Sequence, residues 1–295
     1  MKKIAFILFL CILTNCEDVI EVDTPSEAPR LIIEALLRVD RNETYIPVEV
    51  KVSKTSNFFE EIPVTSVESI LITYTTMEDG IVISTGFSNL AEEVPGSGVY
   101  TPDPTFMTEQ RIQTSILDDD IVFDLIINHE GRTYFGSTKY VPAVPFDNVT
   151  QGSDTLFSED ETEVIVTFTD NGERDDFYLF DFGFGNYLVT EDEFYQGQQF
   201  EFSYFYDMEF EVGSDITISL LGADEQFYNY MNQLIEQSGE QQGPFQTPVS
   251  TVRGNIFDIT DLDNIDLFDN VEQPDVYPLG YFAIVEEYKQ TITIQ

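Results

Sequence analysis

From Leu31 onward the chain repeats one pattern: short runs rich in Val, Ile, Thr, Tyr and Phe, separated by turn residues. Val48, Val50 and Val52 alternate with Glu49, Lys51 and Ser53. A period of two puts successive side chains on opposite faces of a strand and cannot form the stripe a helix buries, so most of this chain is constrained to half-buried β-structure. The runs predict strands over Leu31–Val39, Tyr45–Ser53, Val67–Thr76, Ile81–Phe87, Arg111–Leu117, Ile121–Asn128 and Arg132–Val141. Turn signals such as Glu78-Asp79-Gly80, Pro95-Gly96-Ser97-Gly98 and His129-Glu130-Gly131 lie between them. Strands at this spacing predict an antiparallel β-sandwich over residues 31–141.

Pro142-Ala143-Val144-Pro145 and the polar stretch after it predict a linker over 142–162. A second β domain follows over 163–295, in which Arg174, Arg253 and Lys289 are the only cations beyond residue 150. Phe180, Phe182 and Phe184 alternate with Asp181 and Gly183, and Phe200, Phe202, Tyr204 and Tyr206 alternate with Glu201, Ser203 and Phe205. Both read as strands with an aromatic face, joined as a hairpin through Thr190 to Gly197. Phe227, Tyr230, Met231, Leu234 and Ile235 recur at helical spacing, with Asp224 as N-cap and Gly239 and Pro244 as the stop. Strands are expected again at Pro248 to Phe257, Tyr281 to Glu287 and Lys289 to Ile294. The expected fold is mainly β: two antiparallel β-sandwich-like domains, with one helix packed on the second.

Charge narrows the partners. With 13 Lys and Arg against 55 Asp and Glu, the formal charge is -42. Nucleic-acid binding rests on cations neutralising phosphates, so no nucleic-acid partner is expected. A content of 42% hydrophobic and 14% aromatic residues is too high for a disordered acidic chain.

The N-terminus indicates an address. Lys2 and Lys3 precede an apolar run from Ile4 to Leu13, too short to span a bilayer and suited to an export signal over residues 1–15. Leu13-Thr14-Asn15-Cys16 resembles a bacterial lipobox, in which Cys16 is lipidated, with palmitate among its acyl chains, and becomes the first mature residue. Cys11 would be removed with the signal, so Cys16 has no partner for an internal disulfide. Several acyl chains on one cysteine give stable anchoring. Residues 16–30 then form an acidic tether, in which Glu17 and Asp18 resemble an export signal to the cell surface; the periplasmic face is the alternative.

Assembled chemistry is scarce. His129 is the single histidine and sits in a turn, so the usual zinc ligand sets and a Ser-His-Asp triad lack their parts. No nucleophile elbow or phosphate loop occurs, and Phe182-Gly183-Phe184-Gly185 lies within a strand pattern. No catalytic residue and no cofactor are assigned. Calcium is the exception to consider: Asp258, Asp261, Asp263 and Asp266 crowd one segment. Counted from Asp261, however, Ile265 and Asp266 stand where an EF-hand needs a ligand and a glycine. Asp170 to Asp176 and Asp118-Asp119-Asp120 are further acidic turns. The aromatic strand residues Phe202, Tyr204, Phe205 and Tyr206 are the candidate ligand-binding surface, since an exposed aromatic face can stack on a sugar or anchor a partner.

Several segments together resemble the domain-of-unknown-function 4249 family: Cys16-Glu17-Asp18-Val19-Ile20, Pro29-Arg30-Leu31-Ile32-Ile33-Glu34, Asp224 to Tyr230, Gly243-Pro244-Phe245, Val252-Arg253-Gly254-Asn255-Ile256 and Leu279-Gly280-Tyr281-Phe282. An acidic insert from Asp258 to Asp275 departs from the pattern. The resemblance implies a predicted outer-membrane lipoprotein without established catalysis, of a kind often found beside TonB-dependent transporters. The expected function is accordingly a lipid-anchored accessory or ligand-capture protein partnering such a transporter, its ligand a small molecule, peptide or glycan. A surface adhesion or glycan-binding module is the alternative, and a carboxylate hydrolase the third.

Overall fold

The computed structural model describes residues 28–56, 63–238, 251–261 and 277–295. Its first strand shows how the alternation is used. In β1 (Leu31–Val39), Leu31, Ile33, Ala35, Leu37 and Val39 are buried on one face while Ile32, Glu34, Leu36 and Arg38 point to the other. The next strands are β2 (Val50–Lys54), β3 (Ser69–Glu78), β4 (Ile81–Glu92), β5 (Val99–Pro102), β6 (Ile121–His129) and β7 (Arg132–Val141). After them come β8 (Phe146–Gln151), β9 (Thr162–Thr169), β10 (Phe177–Asp181), β11 (Tyr187–Glu191), β12 (Gln199–Tyr206) and β13 (Asp215–Ala223). Helix α1 (Glu225–Ser238), β14 (Ile256–Asp258) and β15 (Leu279–Thr293) complete the described chain.

The mainly β expectation holds, with one helix beyond short 3-10 turns among the described residues and with one large and one small sheet. The large sheet runs β11-β10-β13-β15-β1-β2-β5-β4-β3-β6-β7-β14, and β7 also pairs with β15. That last pairing closes β15, β1, β2, β5, β4, β3, β6 and β7 into a ring of strands. Val50, Val52, Ile72, Phe123, Leu125, Phe282 and Ile284 are among the side chains that fill it. The small sheet, β12-β9-β8, covers one face of β10 and β13. The layer between them holds Phe168, Tyr178, Phe180, Phe182, Ile218 and Leu220, and a buried aromatic of this size contributes about 1.5–3 kcal/mol.

Strand β15 joins the halves. Its first part pairs parallel with β1, from Ile32 opposite Leu279 to Val39 opposite Glu286. Its second part pairs antiparallel with β13, from Leu221 opposite Glu287 to Asp215 opposite Thr293. Two strands are thus replaced by one, and the antiparallel expectation is corrected at β15, which runs parallel to both β1 and β7. Parallel pairing needs a long connection, and β15 reaches β1 from the far end of the chain. Arg38 adds an ionic tie, bridging Asp181 at 2.7 Å and Glu287 at 3.2 Å.

Other expectations also change. Arg111–Leu117 is not a strand: Thr114–Asp118 forms a 3-10 turn, because Thr114 and Leu117 are buried three residues apart, the repeat of that helix. In Tyr45–Ser53, Tyr45 makes only an isolated bridge to Gln113, and continuous pairing starts at Val50, beyond Pro47, which has no N–H to give, although Ile46 and Val48 are still buried. The segment expected as a linker over 142–162 contains β8, whose exposed outer face explains its polarity. The ring of strands likewise includes the distant β15, and β14 pairs with β7 beside it. Finally, the two aromatic strands are not a hairpin. β10 turns through Phe182-Gly183-Phe184-Gly185 into β11, whereas β12 pairs with β9 in the opposite sheet. Alternation specifies which face is buried and not which strand lies alongside.

Candidate functional site

Helix α1 starts where Asp224 accepts the Phe227 N–H at 2.7 Å, the N-cap expected from sequence. The expected stop at Gly239 and Pro244 lies outside the described residues, as does the start of the strand expected from Pro248. The helix packs on the outer face of the large sheet, over Leu179, Leu221, Ala283 and Val285. Phe227 is buried near its first turn, but farther along Met231 is only half-buried and Leu234 is 36% exposed. The apolar stripe of the helix therefore outruns the surface beneath it.

The difference is a cleft of about 610 Å³ between α1, β1 and the start of β15. Ile32 and Leu36 enter it from the outward face of β1, Leu279 and Tyr281 from β15, and Tyr230 and Leu234 from the helix. Glu34, Arg38, Gln237 and Thr251 supply polar groups. A mainly apolar concavity of a few hundred Å³ with few polar groups has the character of a small-molecule site. The Tyr281 ring lies 5.0 Å from Phe227 and 4.8 Å from Tyr230 between centroids. Its hydroxyl is buried without a hydrogen-bond partner, which costs about 1–3 kcal/mol wherever it occurs.

Burial pushes the Tyr230 hydroxyl up to about 12, with the Glu34 charge adding to it. Burial also raises Tyr281, assisted by Asp224, and pushes Tyr288 up to about 12. A tyrosine whose folded value is raised contributes stability that is complete below its ordinary value of about 10 and is lost as pH climbs through the folded value. We therefore expect two-step ultraviolet titration: exposed tyrosines near the ordinary value, buried ones only together with loss of the far-ultraviolet dichroism. A single step near the ordinary value with the dichroism intact would contradict this packing.

The sequence-predicted residues fall elsewhere. Cys16, Glu17, Asp18, Asp263 and Asp266 lie outside the described residues. Phe202, Tyr204 and Tyr206 face the second core: Tyr204 stacks on Phe182 at 3.8 Å, Phe202 meets Phe180 at 5.1 Å, and the Tyr206 hydroxyl donates to the Phe182 carbonyl at 2.7 Å. They are core, not a platform, because the facing sheet carries its own aromatics. Phe205 alone of the four points to the other side, half-buried. Asp258 is spent on structure: one oxygen meets Arg132 at 2.5 Å, and the other accepts from the Thr260 N–H and hydroxyl. Asp261 occupies a left-handed turn position at φ 62°. Asp170 and Asp176 both accept from the Tyr178 hydroxyl, at 2.5 and 3.0 Å, and Arg174 pairs with Asp176. Among the described residues no group of three or more His, Cys, Asp and Glu side chains is arranged to hold a metal ion. No helix among them is long and apolar enough to cross a membrane.

No local sequence pattern marks the cleft as a whole, because its walls come from opposite ends of the chain. The one sequence signal was the length of the apolar stripe on α1, which continues past the helix's buried first turn.

A family model described as a domain of unknown function, DUF4249, matches residues 17–265. No curated protein matches the chain. Among solved structures, a chain from work on the host cell surface retention of a 1.5-MDa bacterial ice-binding adhesin matches at 8% identity with a TM-score of 0.19. That match covers 92% of this chain and 66% of the other, so this chain spans just under two thirds of its length. A likeness so loose carries no argument about fold or function.

Proposed function

The chain belongs to the DUF4249 family, and on that premise we propose that it is a lipid-anchored outer-membrane accessory protein that captures an apolar ligand in the α1 cleft and works with a TonB-dependent transporter. The observation that carries the capture reading is the cleft itself: an apolar concavity of about 610 Å³ beside an unpartnered, buried Tyr281 hydroxyl. A ligand with an aromatic or alicyclic body would bury Ile32, Leu36 and Leu234. Support for the anchor comes from Leu13-Thr14-Asn15-Cys16, and the acidic residues after Cys16 support a surface location. Phe202, Tyr204 and Tyr206 do not support an adhesion surface, since Tyr206 is buried in the second core and Phe202 and Tyr204 pack against it.

The capture reading is tested with N-phenyl-1-naphthylamine, a neutral aromatic probe that fluoresces in apolar surroundings. Wild-type protein is expected to bind it saturably. Leu234→Trp, which fills the cleft from a part-exposed helix position, is expected to weaken binding at least about tenfold, or about 1.4 kcal/mol, with the melting temperature unchanged. Equal binding by the two proteins would remove the cleft as the capture site.

A further inference from the structure

Over most of its length strand β4 has an edge that no other strand among the described residues pairs with. Only Leu90, Ala91 and Glu92 pair with β5, while Ile81–Ser88 pair with β3 on the other side alone. Asn89 marks which groups point outward: its N–H donates to Gln110 and its carbonyl accepts from the Asp103 N–H. By the two-residue repeat, the N–H and carbonyl groups of Phe87 and Thr85 point the same way, and among the described residues no strand pairs with them. Four large apolar side chains along this edge are open to solvent, with the polar Ser84 and Thr85 between them. Ile81 is 65% exposed, Val82 57%, Ile83 58% and Phe87 48%, and Phe106 extends the patch with its ring 6.3 Å from Phe87.

Proteins ordinarily blunt such edges with charge, proline or a cover. Here Ile81 to Ala91 holds no charged residue and no proline. Acidic side chains bracket it: Glu78-Asp79 at the hairpin tip and the exposed Glu93 at the other end, next to Glu92, whose carboxylate accepts from the Ser66 hydroxyl and the Gly98 N–H. We propose that the β4 edge is a docking site for an extended segment of a partner protein, apolar at alternate positions and carrying Lys or Arg at both ends, which adds as a strand beside Ile81–Ser88. Strand addition supplies affinity through main-chain hydrogen bonds and selectivity through alternate side chains. A free edge of this length is ~27 Å, room for one short strand. Charge decides against a second copy. An antiparallel pair of β4 edges centred on Thr85 brings Glu78 of one copy toward Glu92 of the other, on a chain already at -42. This docking site is separate from the α1 cleft, and neither reading depends on the other.

The test uses the full chain and a synthetic peptide of about ten residues, alternating valine and threonine with two lysines at each end, against the same peptide ended with glutamates. Fluorescence anisotropy is expected to give a dissociation constant on the order of micromolar for the lysine-ended peptide, and at least tenfold weaker binding for the other. Thr85→Pro removes an outward N–H while sparing the ladder to β3, and should cost about tenfold without lowering the melting temperature. The double substitution Glu78→Lys with Asp79→Lys should weaken the lysine-ended peptide and favour the glutamate-ended one, separating the charge argument from any folding effect. Equal binding of the two peptides would overturn the proposal, as would binding indifferent to Thr85→Pro. A concentration-dependent dimer abolished by Thr85→Pro would overturn it in favour of self-pairing.

Discussion

Gly280→Ala is expected to remove more than about 4 kcal/mol of stability, enough to leave little folded protein where the whole margin is about 5–15 kcal/mol. Gly280 sits at φ 102° in β15, and a Cβ there would overlap the Ile33 carbonyl of β1. The obstacle is backbone, so no side chain can swing aside, and relief requires parting β15 from β1. A control separates conformational strain from overlap. Gly96 also has a positive φ, 83°, but a Cβ there meets nothing within 4 Å. Gly96→Ala should therefore cost only about 1–2 kcal/mol, the ordinary penalty of a left-handed alanine. Urea unfolding of the two variants compares them directly, and similar midpoints would show that the close approach of β15 to β1 is wrong.

The second large effect is at Asn255. Its side-chain amide donates to the Phe282 carbonyl at 2.7 Å and its carbonyl oxygen accepts from the Phe282 N–H at 2.8 Å, so one side chain completes the β15 ladder where no strand reaches. Asn255 is 4% exposed. Asn255→Leu keeps the bulk but orphans two buried backbone groups at about 1–3 kcal/mol each, for an expected loss of about 2–6 kcal/mol. Asn255→Asp can still accept but cannot donate, and it buries a charge, so it should be at least as damaging. Hydrogen exchange at the Phe282 amide should accelerate in Asn255→Leu. Wild-type stability and exchange in that variant would remove the bridge from the account.

These two residues explain what the family-like segments of the sequence do. Gly254 and Asn255 come from one such segment, Gly280 and Phe282 from another, and Ile33 from a third. They meet at one point: a Cβ on Gly254 would overlap the Gly280 carbonyl, and one on Gly280 would overlap Ile33. Nearby, the guanidinium groups of Arg30 and Arg253 both lie against the Tyr277 ring, at 4.1 and 3.8 Å from its centroid. The signature is architectural, the place where the last strand locks onto the first.

Local pattern carried much of the fold. β1 and β6 were legible nearly to the residue because each buries one clean face, and β7, buried at the consecutive Tyr134, Phe135 and Gly136, was legible from its bounds, the turn His129-Glu130-Gly131 before it and Pro142 after it. Helix α1 was legible from its cap and stripe. What local pattern does not encode is partner choice. The aromatics of β10 and β12 alternate in the same way whether the strands lie side by side or face each other across a core. The continuity of β15 was hidden by its changing surroundings: Tyr281 to Glu287 are buried, after which the burial alternates at the edge of the second core. The α1 cleft was invisible for a related reason, since Ile32, Tyr230 and Tyr281 are brought together only by the β1–β15 pairing. The acidic segments misled in the opposite direction: Asp258, Asp170 and Asp176 form hydrogen bonds and ion pairs within the fold, and composition cannot distinguish a spent carboxylate from a free one.

The most direct test of the functional account is co-purification from mild-detergent membranes of an epitope-tagged protein and its Cys16→Ala variant, read by mass spectrometry. An anchored accessory protein predicts a β-barrel TonB-dependent transporter recovered in stoichiometric amount with the wild type and lost with Cys16→Ala. Recovery of the wild-type protein alone, or of the same partner with Cys16→Ala, would contradict it.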